Sequence, residues 1–412
     1  MAPGNPLKAF LATARSTLQA PASQRPSPLT FVVGNESADV DSLCSAVVYA
    51  YVRSQAPPRT LHIPLCNLPR ADLGLRTEMT AVLQCAGLGP DDLLTLSDLP
   101  SSFPSPSASA APESYELKPA DTRWVLVDHN DLTGSLERNG FAAEVVGCVD
   151  HHVDENRVRA DATPRVIEPC GSCMSLVVDQ CRAVWDELTV RDPSADAHLA
   201  KLGLAAILLD TVNLSVKEKV KEKDVSAVGY LEARIQRQSR DFNTTAFFDH
   251  IWAVKEDIST LSFRDILRKD YKEWHDGAMT LGVSCVVQNL TYLVHRADDS
   301  PRAFLAHLDE WSSERRLDIA AVMTTSNPDG EFQRHLLVWG RSPRGAAAVA
   351  KFVPLAREKL RLEAWSDAEL DQVDRAGTLR FAWRQHELAA SRKQVAPLLR
   401  EAMRSAREGA SE

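Results

Sequence analysis

A chain of 412 residues, 44% hydrophobic and 25% charged, has room for two or three domains with full cores, which excludes a small disulfide-stapled scaffold and a low-complexity polymer. Its 47 basic and 56 acidic residues leave a formal charge of −9, so bulk charge does not hold it on nucleic acid or an anionic membrane, while a local basic funnel could still take an anionic substrate. No apolar run reaches the ~18 residues of a membrane span, and eight cysteines scattered in apolar contexts read as reduced thiols of a cytoplasmic protein.

In chain order, the segment Lys8 to Leu18 carries Lys8 and Arg15 and no acid. It predicts a short amphipathic helix on the first domain, ended by Pro21, Pro26 and Pro28, and its composition also fits a mitochondrial transit peptide. Leu29 to Val33 is short, rich in β-branched residues and stops at Gly34, the pattern of a buried strand before a tight turn; helical spacing follows over 41–52. The apolar runs 124–127, 145–149 and 205–209 read as three further strands, each ending on an acid: Asp128, Asp150 and Asp210. Continuous apolar strands alternating with helical stretches predict a parallel α/β sheet covered on both faces, which binds ligands at the carboxyl ends of its strands.

The Pro/Ser/Ala-rich stretch 100–119 reads as a mobile surface insertion without a catalytic role. Lys217, Lys219, Lys221 and Lys223 alternate with Glu218 and Glu222 in the manner of a solvated helix face, placed after Asp210 where it could also guide a polyanion. Beyond residue 260, strand-like runs at 283–287, 319–323 and 336–339 and a helix starting near Ser391 predict a smaller α/β domain. The expected division is an N-terminal helical extension (1–28), a first domain (29–235), a linker (236–260) and a second domain (261–405).

Asp39 and Asp41, two apart in a turn, can present two carboxylates to one place, with Asn35 adding a third oxygen; such clusters suit hard or borderline divalent cations, and an Asp-rich turn that merely caps the next helix looks the same. Adjacent His151 and His152 cannot easily point the same way, so one suits a ligand and the other a substrate-facing group, unless the pair is a polar surface turn. A parallel sheet would bring these residues, Asp128 and Asp210 to one edge. That set suffices for two divalent ions, the arrangement that neutralises phosphate oxygens during in-line attack on phosphorus. Gly171-Ser172-Cys173 before an apolar stretch either offers backbone N–H groups to a phosphate or is a plain turn. Cys170 and Cys173 lack the second pair of a zinc site, and His129 is expected to bond a ligand carboxylate.

The blocks Gly34-Asn-Glu-Ser-Ala-Asp-Val-Asp-Ser42, Asp128-His-Asn130, Asp150-His-His152, Gly171-Ser-Cys173 and Leu208-Leu-Asp-Thr211, in this order, resemble the DHH phosphoesterase superfamily. His386-Glu-Leu-Ala-Ala-Ser391-Arg392-Lys393 resembles the Ser-Arg-Lys motif in the second domain of family II inorganic pyrophosphatases, and the opening Gly-Asn-Glu-Ser-Ala-Asp is most similar to fungal cytosolic exopolyphosphatases and animal prune proteins. The resemblance implies an α/β fold with an N-terminal parallel-sheet DHH domain, a smaller C-terminal DHH-associated α/β domain, and an active site in the cleft between them. It implies one metal on Asn35, Asp39 and Asp128 and a second on Asp41, Asp128, His151 and Asp210, with Asp128 bridging. His152 would face substrate and protonate the leaving-side oxygen, and His386, Arg392 and Lys393 would bind phosphate.

The implied activity is exopolyphosphatase, with two divalent cations, Mg²⁺ or Mn²⁺ and also Co²⁺. Inorganic pyrophosphatase, a prune-like short-chain exopolyphosphatase or nucleotide phosphodiesterase, and a non-catalytic interaction protein are the alternatives. The implied partners are polyphosphate or pyrophosphate as substrate, with no nucleic acid and no membrane, on a monomer. Pyrophosphatases carry histidine where this chain has Asn35, and an amide oxygen there is expected to favour Mg²⁺ over Mn²⁺ or Co²⁺.

Overall fold

The computed structural model describes residues 5–100, 117–191, 193–328, 331–366, 369–375 and 377–408, so most of the 100–119 insertion lies outside the described residues. The chain forms two units, Met1–Lys255 and Glu256–Glu412. Among the described residues no helix is long and apolar enough to cross a membrane.

The first unit runs α1 (Pro6–Gln19), β1 (Leu29–Val33), α2 (Val40–Gln55), β2 (His62–Leu65), α3 (Thr77–Cys85), β3 (Thr122–Val127), α4 (Gly134–Arg138), β4 (Val145–Asp150), β5 (Arg165–Ile167), α5 (Cys173–Arg191), α6 (Pro193–Thr211), α7 (Glu222–Gln238) and α8 (Thr244–Glu256). Its five strands lie in the order β2-β1-β3-β4-β5, every neighbouring pair parallel. The strands read as unbroken apolar runs because both faces are covered: Phe31 stacks on Trp124 at 4.6 Å on one face, and Val32, Val125 and Val127 join the cluster of α2, α5 and α6 on the other. The chain leaves β1 for β2 on one side of the sheet and leaves β3 for β4 on the other. The carboxyl ends of β1 and β3 therefore flank a topological switch point, where a crevice must open.

The N-terminal segment forms the expected helix, α1, which buries Leu7, Phe10, Leu11, Ala14 and Leu18 against the first unit. Two expectations change. The run 205–209 is the last part of α6 and not a strand; Leu204 to Leu209 are all buried, so this run shows no polar stripe to betray its period. Within 236–260, α8 forms a helix that sets Phe248 and Ile251 in the first unit's core.

The second unit comprises α9 (Phe263–Lys269), β6 (Tyr271–Asp276), β7 (Met279–Val286), α10 (Leu290–Arg296), α11 (Pro301–Glu314), β8 (Ile319–Thr324), β9 (His335–Gly340), α12 (Pro343–Lys359), β10 (Leu362–Ala364), β11 (Gln372–Arg375), β12 (Thr378–Gln385) and α13 (Arg392–Glu408). Its mixed sheet has the order β10-β12-β9-β8-β7-β6, with β11 on β12. Val349 and Phe352 of α12 and Val395, Leu399 and Met403 of α13 cover one face, while Ile266, Leu293, Phe304 and Leu308 of α9 to α11 cover the other.

Because Phe31 is fully buried in the stack with Trp124, Phe31→Ala should cost the first unit about 3–5 kcal/mol in urea denaturation followed by tryptophan fluorescence. A loss below about 1 kcal/mol would contradict this packing.

Candidate metal centre

The site is built at the switch point. After β1 the chain folds back onto the start of α2 so closely that a Cβ on Gly34 would stand 2.6 Å from the Ser42 Cβ, which only glycine avoids. The Ser42 hydroxyl accepts from the Asn35 N–H at 3.1 Å and donates to Asp128 Oδ2 at 2.6 Å. Asp39 caps α2 by accepting from the Ser42 N–H at 3.0 Å. Asp41, in the first turn of α2 and 2% exposed, accepts from Ser172 Oγ at 2.9 Å and from the N–H groups of Cys173 at 2.7 Å and Met174 at 3.0 Å.

Asp128 directly follows β3 and holds a left-handed backbone at φ +62°, with its own N–H donated to the Val149 carbonyl at 3.1 Å. Ala38 (φ +43°) and the three residues after Thr211, Val212, Asn213 and Leu214, are left-handed too. Non-glycine residues resist this conformation, so its concentration around four acids marks a backbone held by its surroundings.

Ligand-type atoms of Asp41, His151 and Asp210 lie within 4.8 Å of one another, and so do those of Asp128, His151 and His152. The two imidazoles stand at 85° to each other. His151 Nδ1 donates to the Cys170 carbonyl at 3.0 Å, which leaves Nε2 turned to Asp128 Oδ1 at 3.2 Å. His152 Nδ1 donates to Asp150 Oδ1 at 2.7 Å, and its outer edge is half-exposed. Asp150 is fully buried and also accepts from Asn130 Nδ2 and from the His151 N–H at 2.8 Å. Burial opposes ionisation of Asp150, yet the hydrogen bonds from His152 and Asn130 prevail and hold its carboxyl below the usual range; that bond likewise raises His152.

The electrostatics of the cluster run the other way. Burial, then the charges of Asp128 and Asp210, push Asp39 up to about 7; burial and the charge of Asp210 push Asp41 to about 6; burial and the charge of Asp41 push Asp128 to about 6. Burial alone would lower His151, but its bond to Asp128 and the charges of Asp41, Asp128 and Asp210 lift it to about 9. Lys219 bonds both Asp210 Oδ2 and the Asp210 carbonyl at 2.9 Å, and burial's depression of its ammonium is outweighed by Asp210, so it stays charged. A group of oxygens and one imidazole lone pair that draws protons this strongly has more negative charge than the protein neutralises. Its donors fit divalent cations held by oxygen and nitrogen.

The structure brings together Asp41, Asp128, His151 and Asp210, with His152 beside them and Asp39 near enough to feel Asp128 and Asp210. Asn35 differs from expectation. Its amide oxygen accepts from the N–H groups of Ser37 at 2.9 Å and Ala38 at 3.2 Å, so its Nδ2 faces Asp128 and donates to Oδ2 at 2.9 Å. Asn35 thus meets the cluster as a donor and not as an oxygen ligand. The 171–174 amides are likewise consumed by Asp41 and Asp224 and not offered to a phosphate. His129 bonds the Val127 carbonyl at 3.0 Å and no carboxylate. The lysine run straddles the start of α7 and is no single helix face: Lys219, before the helix, turns onto Asp210, and Lys223, in its first turn, pairs with Glu168 and Asp179. Sequence reasoning quotes Ser42 and Asp150 within motifs without giving them a role, reads Lys219 only as part of a run that could guide a polyanion, and misses Asp224.

In the second unit, Arg392 and Lys393 line a cavity of about 470 Å³ together with Lys269, Lys272, Arg334 and Arg400. One acid, Asp270, faces these six bases and holds Arg392 at 2.7 Å. His386 is not among the lining residues; it follows the end of β12, beside the short strand β10, where its Nε2 bonds Glu363 Oε2 at 2.7 Å on the exposed surface.

The sequence matches the DHH family, N-terminal domain, over residues 30–207 and the DHHA2 domain over residues 249–402. A Schizosaccharomyces pombe protein named "Putative exopolyphosphatase" is 31% identical, covering 91% of each chain. "Exopolyphosphatase PRUNE1" of Homo sapiens is 26% identical over 93% of this chain and 77% of its own length, and the "Manganese-dependent inorganic pyrophosphatase" of Methanothrix thermoacetophila is 24% identical over 72% of this chain and 80% of its own. Among solved structures, that of a Methanococcus jannaschii protein described as a "putative family II inorganic pyrophosphatase" superimposes with a TM-score of 0.52 at 18% identity, covering 91% of this chain and all of that one, and so shares its fold.

The four raised groups bind protons more tightly folded than unfolded, where the acids titrate near 3.8 and the imidazole near 6.5. Their stabilising contribution is complete below those values and is lost as pH rises through about 6 to 9. In excess EDTA the melting temperature should therefore fall from pH 5 to pH 9 in scanning calorimetry, and the fall should be shallower in Asp128→Asn. A flat or rising profile would contradict the crowding.

Proposed function

The chain belongs to the DHH family, a DHH N-terminal domain followed by a DHHA2 domain, and from that membership we propose that it is an exopolyphosphatase, a hydrolase that cleaves the terminal phosphoanhydride of inorganic polyphosphate and releases orthophosphate one unit at a time. The observation that carries the reading is the pair of overlapping clusters, Asp41 with His151 and Asp210 and Asp128 with His151 and His152, at the switch of a parallel sheet. The names of the relatives support it: exopolyphosphatase for the substrate, and manganese-dependent pyrophosphatase for a divalent metal.

In this proposal Asp39, Asp41, Asp128, His151 and Asp210 would hold two divalent cations, Mg²⁺ or Mn²⁺. When bound they supply the Lewis acidity that neutralises phosphate oxygens and lowers the pKa of attacking water. The chain's own residues do the rest. Asn35 and Ser42 hold Asp128 Oδ2, so that Oδ1 faces His151. The Cys170 carbonyl fixes the His151 tautomer with its lone pair on Nε2. Buried Asp150 keeps the proton of His152 on Nδ1 and favours the imidazolium, whose Nε2–H then gives a proton to the leaving phosphate oxygen.

Arg392 gives a planar fork and Lys393 a point charge to phosphate oxygens. Six bases against one acid around the second unit's cavity favour a polyanionic chain over a single pyrophosphate.

Purified protein with Mg²⁺ or Mn²⁺ should release phosphate from long polyphosphate, and Asp128→Ala should abolish that release. Turnover confined to pyrophosphate, tripolyphosphate or a cyclic nucleotide would overturn the assignment while keeping the hydrolase. Each of Lys393→Gln and Arg400→Gln should raise KM for long polyphosphate by about tenfold, the worth of one hydrogen bond to a charged group, with a smaller effect for tripolyphosphate. Equal effects at every chain length would contradict a chain-binding role for the cavity.

A further inference from the structure

Asp224 lies in α7, outside every motif that suggested a metal site, and is fully buried. Its Oδ2 accepts from the N–H groups of Gly171 at 2.8 Å and Lys221 at 2.7 Å. Its Oδ1 accepts from the Ser172 N–H at 3.2 Å, Ser175 Oγ at 2.6 Å and Cys170 Sγ at 3.1 Å. Five donors on one carboxylate satisfy its charge without a paired cation, which fixes the donors as firmly as the acceptor. Gly171 is shaped for this: a Cβ there would stand 2.6 Å from Asp224 Oδ2 and 2.7 Å from Thr211 Cγ2.

The turn that Asp224 holds is the one that aims two candidate ligands. Its Cys170 carbonyl takes the His151 Nδ1 proton, and its Ser172 hydroxyl with the Cys173 and Met174 amides takes the Asp41 carboxylate. Asp41 and His151 come from different elements, and within the turn alternate groups face Asp224 and the site. We propose that Asp224 is a positioning residue for metal binding: by clamping residues 170–175 it sets the separation of Asp41 and His151, and thereby the affinity of the cluster for a divalent cation. This inference rests on the metal reading made above.

Asn at position 224 keeps the volume but turns an NH₂ group onto N–H and O–H donors whichever way it sits, so the turn must shift. The measurement is Mn²⁺ binding to the full chain, read by the decrease of the free-ion EPR signal and by calorimetry, beside far-UV circular dichroism. Asp224→Asn should keep its circular dichroism and bind Mn²⁺ about tenfold or more weakly, with activity recovering at high Mn²⁺ and KM for polyphosphate unchanged. Ser175→Ala removes one donor from Asp224 and should weaken Mn²⁺ binding severalfold, which serves if Asp224→Asn does not fold. Wild-type Mn²⁺ affinity in a folded Asp224→Asn, or in Ser175→Ala where Asp224→Asn does not fold, overturns the inference alone. A wild-type chain that binds no Mn²⁺ overturns it together with the metal reading.

Discussion

The structure around the switch point depends on the mutual repulsion of buried carboxylates. Like charges a few ångströms apart repel by about 4 kcal/mol at an effective dielectric constant near 20, and Asp39, Asp41 and Asp128 each feel at least one other acid of the cluster. Nothing in a hydrophobic core would gather them. They are gathered because the sheet order forces the ends of β1 and β3 apart at one place and because each acid is restrained on its flank: Asp41 by three donors of the 172–174 turn, Asp128 by Ser42 and Asn35, Asp210 by Lys219. The left-handed backbone at Ala38, Asp128 and Val212 to Leu214 is the conformational cost of that gathering.

The two histidines divide the remaining work by their Nδ1 partners. A neutral carbonyl behind His151 directs its outer nitrogen at Asp128, where the surrounding acids hold a proton that a cation would displace, whereas an ionised carboxylate behind His152 favours the protonated ring. On the proposed reading one imidazole would accept a cation and the other deliver a proton, although they are adjacent in sequence. The second unit contributes a different field: six bases drawn from α9, β6, α13 and the residue preceding β9 surround a cavity, on a chain whose total charge is −9.

Much of this was legible in the sequence because strand ends and acids coincide. Unbroken apolar runs stopping at Gly34, Asp128 and Asp150 announced parallel strands and the edge where ligands bind. Asp210 was reached by the wrong element: Leu204 to Leu209 are buried on every side of α6, so five apolar residues in a row carry no period that distinguishes helix from strand. Asn35 was read by its composition as an oxygen donor, whereas the backbone turn at Ser37 and Ala38 decides which end of the amide faces Asp128. Asp224 left no local signal, since it acts on amides some fifty residues earlier in the chain, and Lys219 was hidden in an alternating run whose members have separate fates. The basic cavity could not be foreseen either, because its residues are spread from Lys269 to Arg400 and meet only through tertiary packing.

On the proposed reading Asp128 would take part in holding two cations side by side. Electron paramagnetic resonance of the protein loaded with two equivalents of Mn²⁺ tests it most directly. A bridged pair gives an exchange-coupled spectrum, which Asp128→Ala should replace by the six-line signal of an isolated ion together with a lower stoichiometry. An uncoupled six-line spectrum from the wild-type protein at full loading, or saturation at a single Mn²⁺ per chain, would contradict the account.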